Sequence, residues 1–116
     1  RNFDLNKHNS VARLIFMGEA DINNVVNSND CYSAEEQKII IKLWGREILP
    51  RAHKLIELYG QSGGKGIFIL DKGIKHSYSQ PMQEYIKEFF KANRDSAEPL
   101  YPLPADPSQL KYVLYQ

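Results

Sequence analysis

The sequence predicts an α+β domain in which a helical layer packs on a small, mainly antiparallel sheet. Three observations support this fold class: a long amphipathic segment, a short apolar strand followed by a turn, and a C-terminal segment with strand composition. The amphipathic segment is predicted to be a central helix that spans residues 33–59, because its apolar residues recur every three or four positions. These residues are Ile41, Trp44, Ile48, Ala52, Leu55 and Tyr59.

Local signals define the course of this central helix. Ser33 and Glu36 have the Ser-x-x-Glu spacing of a capping box, which predicts that the helix begins there. Pro50 lacks an amide proton and its ring crowds the preceding turn, so a kink or break is expected near Leu49. The apolar stripe keeps its phase across the proline, and both halves are therefore expected to face the same core. Gly60 is the predicted C-cap.

The N-terminal part is predicted to contain a polar arm and a helix. Residues 1–9 are polar and rich in asparagine, and we interpret them as a flexible or lightly docked arm. The apolar residues from 11 to 26 follow helical spacing after a capping serine, so a helix is favoured there. A short buried strand over residues 13–17 is the alternative, because periodicity does not separate helix from strand over so few residues. A loop is predicted over residues 27–30.

The segment after the central helix is predicted to form a β-hairpin. The glycine-rich residues 60–66 are expected to be the most flexible segment, and the apolar residues 67–70 are expected to form a buried strand. Residues 71–73 have the composition of a turn, and residues 74–78 are predicted to return as the second strand. The sheet would then begin as an antiparallel pair.

The C-terminal third is predicted to contain a helix, an extended segment and a strand. An amphipathic helix is predicted over residues 81–93, with proline in its first turn. Proline recurs through residues 99–107, which predicts an extended, non-helical course. Residues 111–115 have strand composition, although the preceding residues also resemble a helix start. A strand is favoured because a lone hairpin gains stability from a third strand, and residues 1–116 are taken as one domain.

Composition limits the function classes. The 15 basic and 14 acidic residues give a formal net charge of +1, so general attraction to nucleic acid or an anionic membrane is weak. The longest apolar runs, such as residues 14–17, are far shorter than the about 20 residues that a membrane-spanning helix needs, so no membrane partner is predicted. Cys31 is the only cysteine, which excludes an internal disulfide and favours a cytoplasmic location. No metal and no cofactor is predicted.

His76 is the strongest catalytic candidate. A histidine beside tyrosine, with lysine and serine nearby, is suited to general acid–base chemistry on a phosphodiester. His76, Tyr78 and Lys75 are therefore the candidate catalytic residues of a small phosphodiesterase or nuclease. The commoner role of such a residue is a half-buried strand histidine that is satisfied by a hydrogen bond. An enzyme is the less favoured class, because the sequence supplies no second fixed catalytic partner.

Lys65 lies in a glycine-rich loop that invites comparison with a phosphate-binding loop. Tyr59 occupies the position of the first glycine of a Walker A motif, and Gly66 stands in place of its serine or threonine. The predicted order, helix then strand, is also the reverse of the order that points a helix N-terminus at a phosphate. A helix end followed by a connecting loop is therefore favoured.

The tyrosine- and proline-rich C-terminal third favours an interaction function. Tyr101, Tyr112 and Tyr115 lie outside clear core positions, and tyrosine is enriched at protein interfaces. Together with Lys65 they are the candidate binding residues. The leading hypothesis is a protein–protein interaction or regulatory domain, including a homodimer formed through an open edge of the C-terminal strand. The alternative, that these tyrosines complete the domain's own core, stays open.

A third hypothesis is a nucleic-acid-binding module that uses the basic residues of the central helix and the hairpin. Acidic residues are interleaved with the basic residues of the helix, and this pattern is typical of a solvated face of mixed charge. Nucleic-acid binding is therefore considered but not favoured. The basic residues are Lys42, Arg46, Arg51, Lys54, Lys65, Lys72 and Lys75.

Overall fold

The structure is a computed structural model that describes residues 2–23 and 30–116. The end of the predicted N-terminal helix and most of the predicted loop at 27–30 lie outside these residues. The described residues form four helices and a three-stranded sheet, which confirms the α+β class. In chain order the elements are α1 (Leu5–Asn9), β1 (Leu14–Gly18), α2 (Ala34–Trp44), α3 (Ile48–Gln61), β2 (Gly66–Asp71), α4 (Gln80–Arg94) and β3 (Leu110–Tyr115).

The sheet is mixed, with β2 as its central strand. β1 pairs with β2 in parallel and β3 pairs with β2 antiparallel, so Ile67 lies between Leu14 and Leu114. The predicted hairpin is wrong, because residues 74–78 form no strand. α2 and α3 lie in the connection between the parallel strands, which cannot be joined by a tight turn. The predicted strands at 67–70 and 111–115 are confirmed.

The helix predicted over residues 11–26 is also wrong, and the short-strand alternative is close to the observed β1. The apolar residues 14–17 lie beside β2, whose backbone groups need partners on that edge. Gly18 ends the strand against the carbonyl groups of Ile74 and Lys75, where a side chain would not fit. Pairing with a distant strand therefore overrides the helical spacing of this segment.

The predicted kinked central helix is not confirmed, because the structure has two helices separated by residues 45–47. α2 ends at Gly45, whose φ of 98° suits glycine. Pro50 lies in the first turn of α3, where its missing N–H breaks no helical hydrogen bond. The capping box is confirmed, because Ser33 Oγ accepts from the Glu36 amide and a Glu36 carboxylate oxygen accepts from the Ser33 amide. Gly60, predicted as the C-cap, lies inside α3.

The core lies between α4 and one face of the sheet. Ile67 and Met82 are fully buried there, and Tyr85 and Phe89 continue the buried face of α4. Ser79 caps this helix by accepting from the Met82 amide, so the helix predicted over residues 81–93 is confirmed. Residues 99–107 have neither helix nor strand, as predicted, and they pack back on α4 through hydrogen bonds from Tyr85 and Asn93.

The opposite face of the sheet is covered by α3. At the C-terminal end of α3 the ring of Tyr59 packs edge-on against Phe68, which packs in turn against Tyr115. The predicted burial of the central apolar stripe is not confirmed. In the described structure no residue of α2 or α3 is buried, and Leu55 is 48% exposed. In this protein α4 covers one face of the three-stranded sheet, and α3 covers the other face only in part. The apolar side chains of α3 therefore stay partly exposed.

The N-terminal arm is docked on the glycine-rich loop. Asn9 donates to the Gly63 carbonyl at 2.9 Å and accepts from the Lys65 amide at 3.0 Å. His8 Nε2 lies 2.9 Å from the hydroxyl of Tyr59, which donates its own proton to the Lys65 carbonyl. The loop that was expected to be the most flexible segment is therefore held by hydrogen bonds on both sides.

Candidate functional site

An apolar groove lies between α3 and the face of the sheet opposite α4. Its volume is about 640 Å³, within the range of about 300–1,000 Å³ that is usual for ligand sites. The floor comes from all three strands and the wall comes from α3. The floor includes Ile15, Met17, Phe68, Leu70 and Val113, and the wall includes Leu49, Ala52, Leu55, Ile56, Leu58 and Tyr59.

Apolar side chains on both sides of this groove are about half exposed to solvent. Ile15 and Val113 of the floor are 53% and 43% exposed, and Leu55 of the wall is 48% exposed. Covering apolar surface contributes about 25 cal/mol per Å². Contiguous apolar surface of this kind marks sites where another molecule binds.

The side chains that line the groove and can carry a charge near neutral pH are basic. His53 and Lys111 line it, and no aspartate or glutamate is among its described lining residues. Lys111 Nζ lies 3.3 Å from a carboxylate oxygen of Glu19, which also accepts from the Gly73 amide. These two interactions, the Gly73 amide first, hold the pKa of Glu19 below its ordinary value. The lysine charge is thus positioned where β3 begins.

A second candidate site lies at the carboxyl ends of the two parallel strands, where polar side chains of α/β sheets often bind ligands. His76 follows β2 and Asp21 follows β1, and their Nδ1 and Oδ2 atoms lie 2.9 Å apart. The Asp21 side chain is 10% exposed, whereas that of His76 is 75% exposed. The hydrogen bond from His76, followed by one from the Asn23 amide, lowers the pKa of Asp21. The carboxylate therefore fixes the imidazole through Nδ1 and leaves Nε2 exposed.

The other predicted catalytic residues are near in sequence but not joined to this pair. Tyr78 and Lys75 are both exposed, and in the described structure no hydrogen bond links either side chain to His76. Asp21 was missed because it lies 55 positions from His76 in the chain. The one signal that identifies it, an acidic residue just beyond a parallel strand, depends on recognising β1 as a strand.

Asp71 is a buried polar residue that sequence reasoning assigned only to a turn. Its carboxylate accepts from the amide of Ser79 at 2.6 Å, from the hydroxyl of Ser79 at 2.7 Å and from Gln109 Nε2 at 2.8 Å. It therefore ties β2 to the start of α4 and to the residue before β3. This intramolecular carboxylate occupies the position near the N-terminus of α4 that an anionic ligand would need.

The structure separates the predicted binding residues. Tyr112 is among the lining residues of the groove, although its position opposite Ile69 puts its side chain on the α4 side of the sheet. Tyr115 packs against Phe68 beside the groove. Tyr101 packs on the core and its hydroxyl accepts from the Arg13 amide. Lys65 lies in the loop that Asn9 holds and does not line the groove, although its carbonyl accepts from the hydroxyl of the wall residue Tyr59.

The described residues contain no group of three or more His, Cys, Asp or Glu side chains arranged to hold a metal ion. None of the helices in the described part of the chain has the length and apolarity to cross a bilayer. Comparisons with protein-family models, with curated proteins and with solved structures find no match to this chain.

Proposed function

We propose that this protein is a protein-interaction domain whose groove between α3 and the sheet receives an amphipathic helix of a partner protein. The observation that carries the proposal is the half-exposed apolar surface on both sides of the groove, represented by Ile15 and Leu55. An α-helix with its side chains is about 10–12 Å wide and presents apolar residues at i, i+3, i+4 and i+7. A helix placed between the floor and the wall would cover both of them at once.

Exposed apolar side chains outside the groove favour a macromolecule over a small apolar ligand. Ile39 and Leu43, one helical turn apart on α2, are both exposed and do not line the groove. A small molecule confined to the groove would leave them in water. A protein partner is large enough to extend beyond the groove and cover further apolar surface.

The charge of the groove supports an acidic partner helix. His53 and Lys111 are its basic lining residues, and no described lining residue is acidic. Lys111 pairs with Glu19, which does not line the groove, but its side chain remains 57% exposed. Glutamate or aspartate beside the apolar face of the partner would complement these groups. Such complementarity contributes mainly to the association rate and to the choice of partner.

The test uses two synthetic helical peptides with the same leucine face, one flanked by glutamate and the other by lysine. Fluorescence anisotropy should show that the glutamate peptide binds and that the lysine peptide binds more weakly. Ile15→Glu, which places a charge on the groove floor, should weaken binding of the glutamate peptide about tenfold or more. Val11→Glu is the matched control, because Val11 is equally exposed but does not line the groove.

Three outcomes would contradict this proposal. The first is that neither peptide binds. The second is that Ile15→Glu and wild type bind the glutamate peptide equally. The third is that the protein binds a fatty acid such as decanoate more tightly than it binds either peptide. The last result would assign the groove to a small amphiphile.

The Asp21–His76 pair supports a second candidate function, hydrolysis of phosphodiesters. In this reaction Nε2 of His76 would take a proton from the attacking water while the new P–O bond forms. The bond to the leaving alkoxide would break, and the imidazolium would return the proton to that oxygen. The Asp21 carboxylate, whose side chain is 10% exposed, would orient the ring through Nδ1.

Hydrolysis of bis(p-nitrophenyl) phosphate tests this second function. Activity should be lost in His76→Ala, strongly reduced in Asp21→Asn and unchanged in His53→Ala. If the wild type has no activity, or if activity survives His76→Ala, the assignment is wrong.

A further inference from the structure

The hydrogen-bond pattern of the sheet determines which backbone groups of β3 face outward. The Lys72 amide donates to the Gln109 carbonyl at 2.9 Å, so these two residues form a hydrogen-bonded pair of the β2–β3 ladder. Such pairs alternate in an antiparallel ladder, and residues 111, 113 and 115 therefore also bond to β2. The N–H and C=O groups of Tyr112 and Leu114 point away from β2.

In the described structure these outward groups lie on an edge of the sheet. The sheet order is β1-β2-β3, so β3 has a neighbouring strand on one side only. The Leu110 amide is already bonded to the Asp106 carbonyl at 2.9 Å, which leaves Tyr112 and Leu114 as the residues that can accept a new strand. Tyr112 and Val113 also expose apolar side chains, and an apolar edge strand is a template for pairing.

We propose that β3 pairs antiparallel with β3 of a second copy of this chain, with Val113 on the two-fold axis. In this register Tyr112 of each copy lies opposite the partner's Leu114. The two resulting residue pairs each exchange two N–H···O bonds and use the outward groups of Tyr112 and Leu114 completely. The second copy is favoured as the occupant because the same edge supplies both halves of a self-complementary interface.

The side chains fit the same register. Val113 lies opposite the partner's Val113 on the groove side of the sheet, and paired β-branched residues stabilise a sheet. On that side Lys111 lies opposite the partner's Tyr115, and its ammonium group stays paired with Glu19, so no two cations face each other across the axis. On the other side Tyr112 lies opposite the partner's Leu114, which is an apolar pair.

The next register places Tyr112 opposite Tyr112, and the structure disfavours it. Its flanking hydrogen-bonded pairs would join Leu110 to the partner's Leu114, and the Leu110 amide is already bonded to Asp106. Lys111 would then lie opposite the partner's Val113. In this register the Leu114 carbonyl of each copy has no donor, because the Leu110 amide is occupied, and the side-chain pairs are poorer.

Cysteine cross-linking tests the register directly. Val113→Cys is made in a Cys31→Ser background, because Cys31 is exposed. Val113 and its symmetry mate form a non-hydrogen-bonded pair with Cα atoms about 4.5 Å apart, which is within the span of a disulfide. Mild oxidation should give a covalent dimer of Val113→Cys, and Tyr112→Cys in the same background should cross-link several-fold more slowly. Faster cross-linking of Tyr112→Cys, or no dimer of Val113→Cys, would overturn the proposal.

Sedimentation across a range of concentrations tests the dimer without a cross-link. Wild type and Val113→Thr should dimerise, and Val113→Glu, which places two like charges on the axis, should be monomeric with an unchanged circular dichroism spectrum. A wild type that is monomeric throughout would overturn the proposal and leave the peptide-binding test of the groove unaffected. A dimer that persists in Val113→Glu would also overturn it.

Discussion

Gly18 at the end of β1 lies directly against the carbonyl oxygen of Lys75. A Cβ atom added to Gly18 would lie 2.1 Å from this oxygen and 2.2 Å from the carbonyl oxygen of Ile74. Ile74 also accepts from the Ala20 amide at 2.8 Å, so the segment after β2 is fixed to the segment after β1. This contact places His76 beside Asp21.

The first prediction is that Gly18→Ala destabilises the protein by about 1–3 kcal/mol, the usual cost of overpacking. The clash involves backbone atoms, which no side-chain rotation can relieve. Urea unfolding measures the change, and Gly66→Ala is the comparison, because its Cβ would lie 3.3 Å from the nearest atom, a tight contact without the overlap found at Gly18. Equal stability of the two variants would show that the Gly18 contact is unimportant.

The second prediction concerns the buried carboxylate of Asp71. Asp71→Ala removes the acceptor for Ser79 and Gln109 and should lower the free energy of unfolding by about 2–4 kcal/mol. Asp95→Ala is the control, because Asp95 is exposed and pairs with its neighbour Arg94. Chemical denaturation compares the two variants, and a difference below about 0.5 kcal/mol would contradict the assigned role of Asp71.

The third prediction is a loss of stability at alkaline pH. Burial, reinforced by Glu88 and Tyr101, raises the pKa of Tyr85 from 10.0 to about 12. Between these values the unfolded chain ionises this tyrosine while the folded chain does not. Its contribution is therefore complete below pH 10 and is lost as the pH rises through the folded-state pKa.

Urea unfolding from pH 9 to pH 11 measures this effect. Tyr85→Phe should flatten the alkaline loss and should also cost about 1 kcal/mol at neutral pH, because its hydrogen bond to Pro102 is lost. Tyr78→Phe is the control, since Tyr78 is exposed. An identical alkaline profile in wild type and Tyr85→Phe would show that another group is responsible.

The fourth prediction is that Asn9→Ala releases the glycine-rich loop. The Lys65 amide donates to the Asn9 side chain and should exchange its hydrogen faster when that acceptor is removed. The stability cost should be about 1 kcal/mol. Hydrogen exchange measured by NMR compares Asn9→Ala with Asn6→Ala, a control in the same helix whose side chain makes no hydrogen bond in the described structure. Unchanged exchange at Lys65 would contradict this role for Asn9.

The sequence correctly predicted the helices and strands that depend on interactions between residues close together in the chain. The capping box at Ser33, the helix that begins after Ser79 and the strand at residues 67–70 each depend on residues close together in the chain. β1 depends on pairing with a strand beyond two helices, and helical spacing of its flanking residues concealed it. The hairpin prediction failed for the same reason, since Ile74 and Lys75 lie against Gly18 and residues 74–78 do not return beside β2.

The candidate sites also divide into residues that their sequence neighbours identify and residues that only the fold brings together. His76 and Tyr112 were identified by residue type and neighbours in the sequence. Asp21 could not be assigned to His76, because the two meet only when parallel strands bring their carboxyl ends together. The groove could not be foreseen either. The periodic stripe that predicted a buried central helix contains Leu55, which instead stands half exposed on the groove wall.

The central position of β2 in the sheet affects how the protein folds during its synthesis. Leu14 pairs with Ile67, and Asp71 pairs with Leu110, so each strand joins a segment made much earlier or much later. No early hairpin can seed the sheet, and such long-range pairing is expected to slow folding. Until residues 110–115 have been synthesised, one edge of the apolar strand β2 stays unpaired, and we expect a nascent chain of that length to be prone to aggregate.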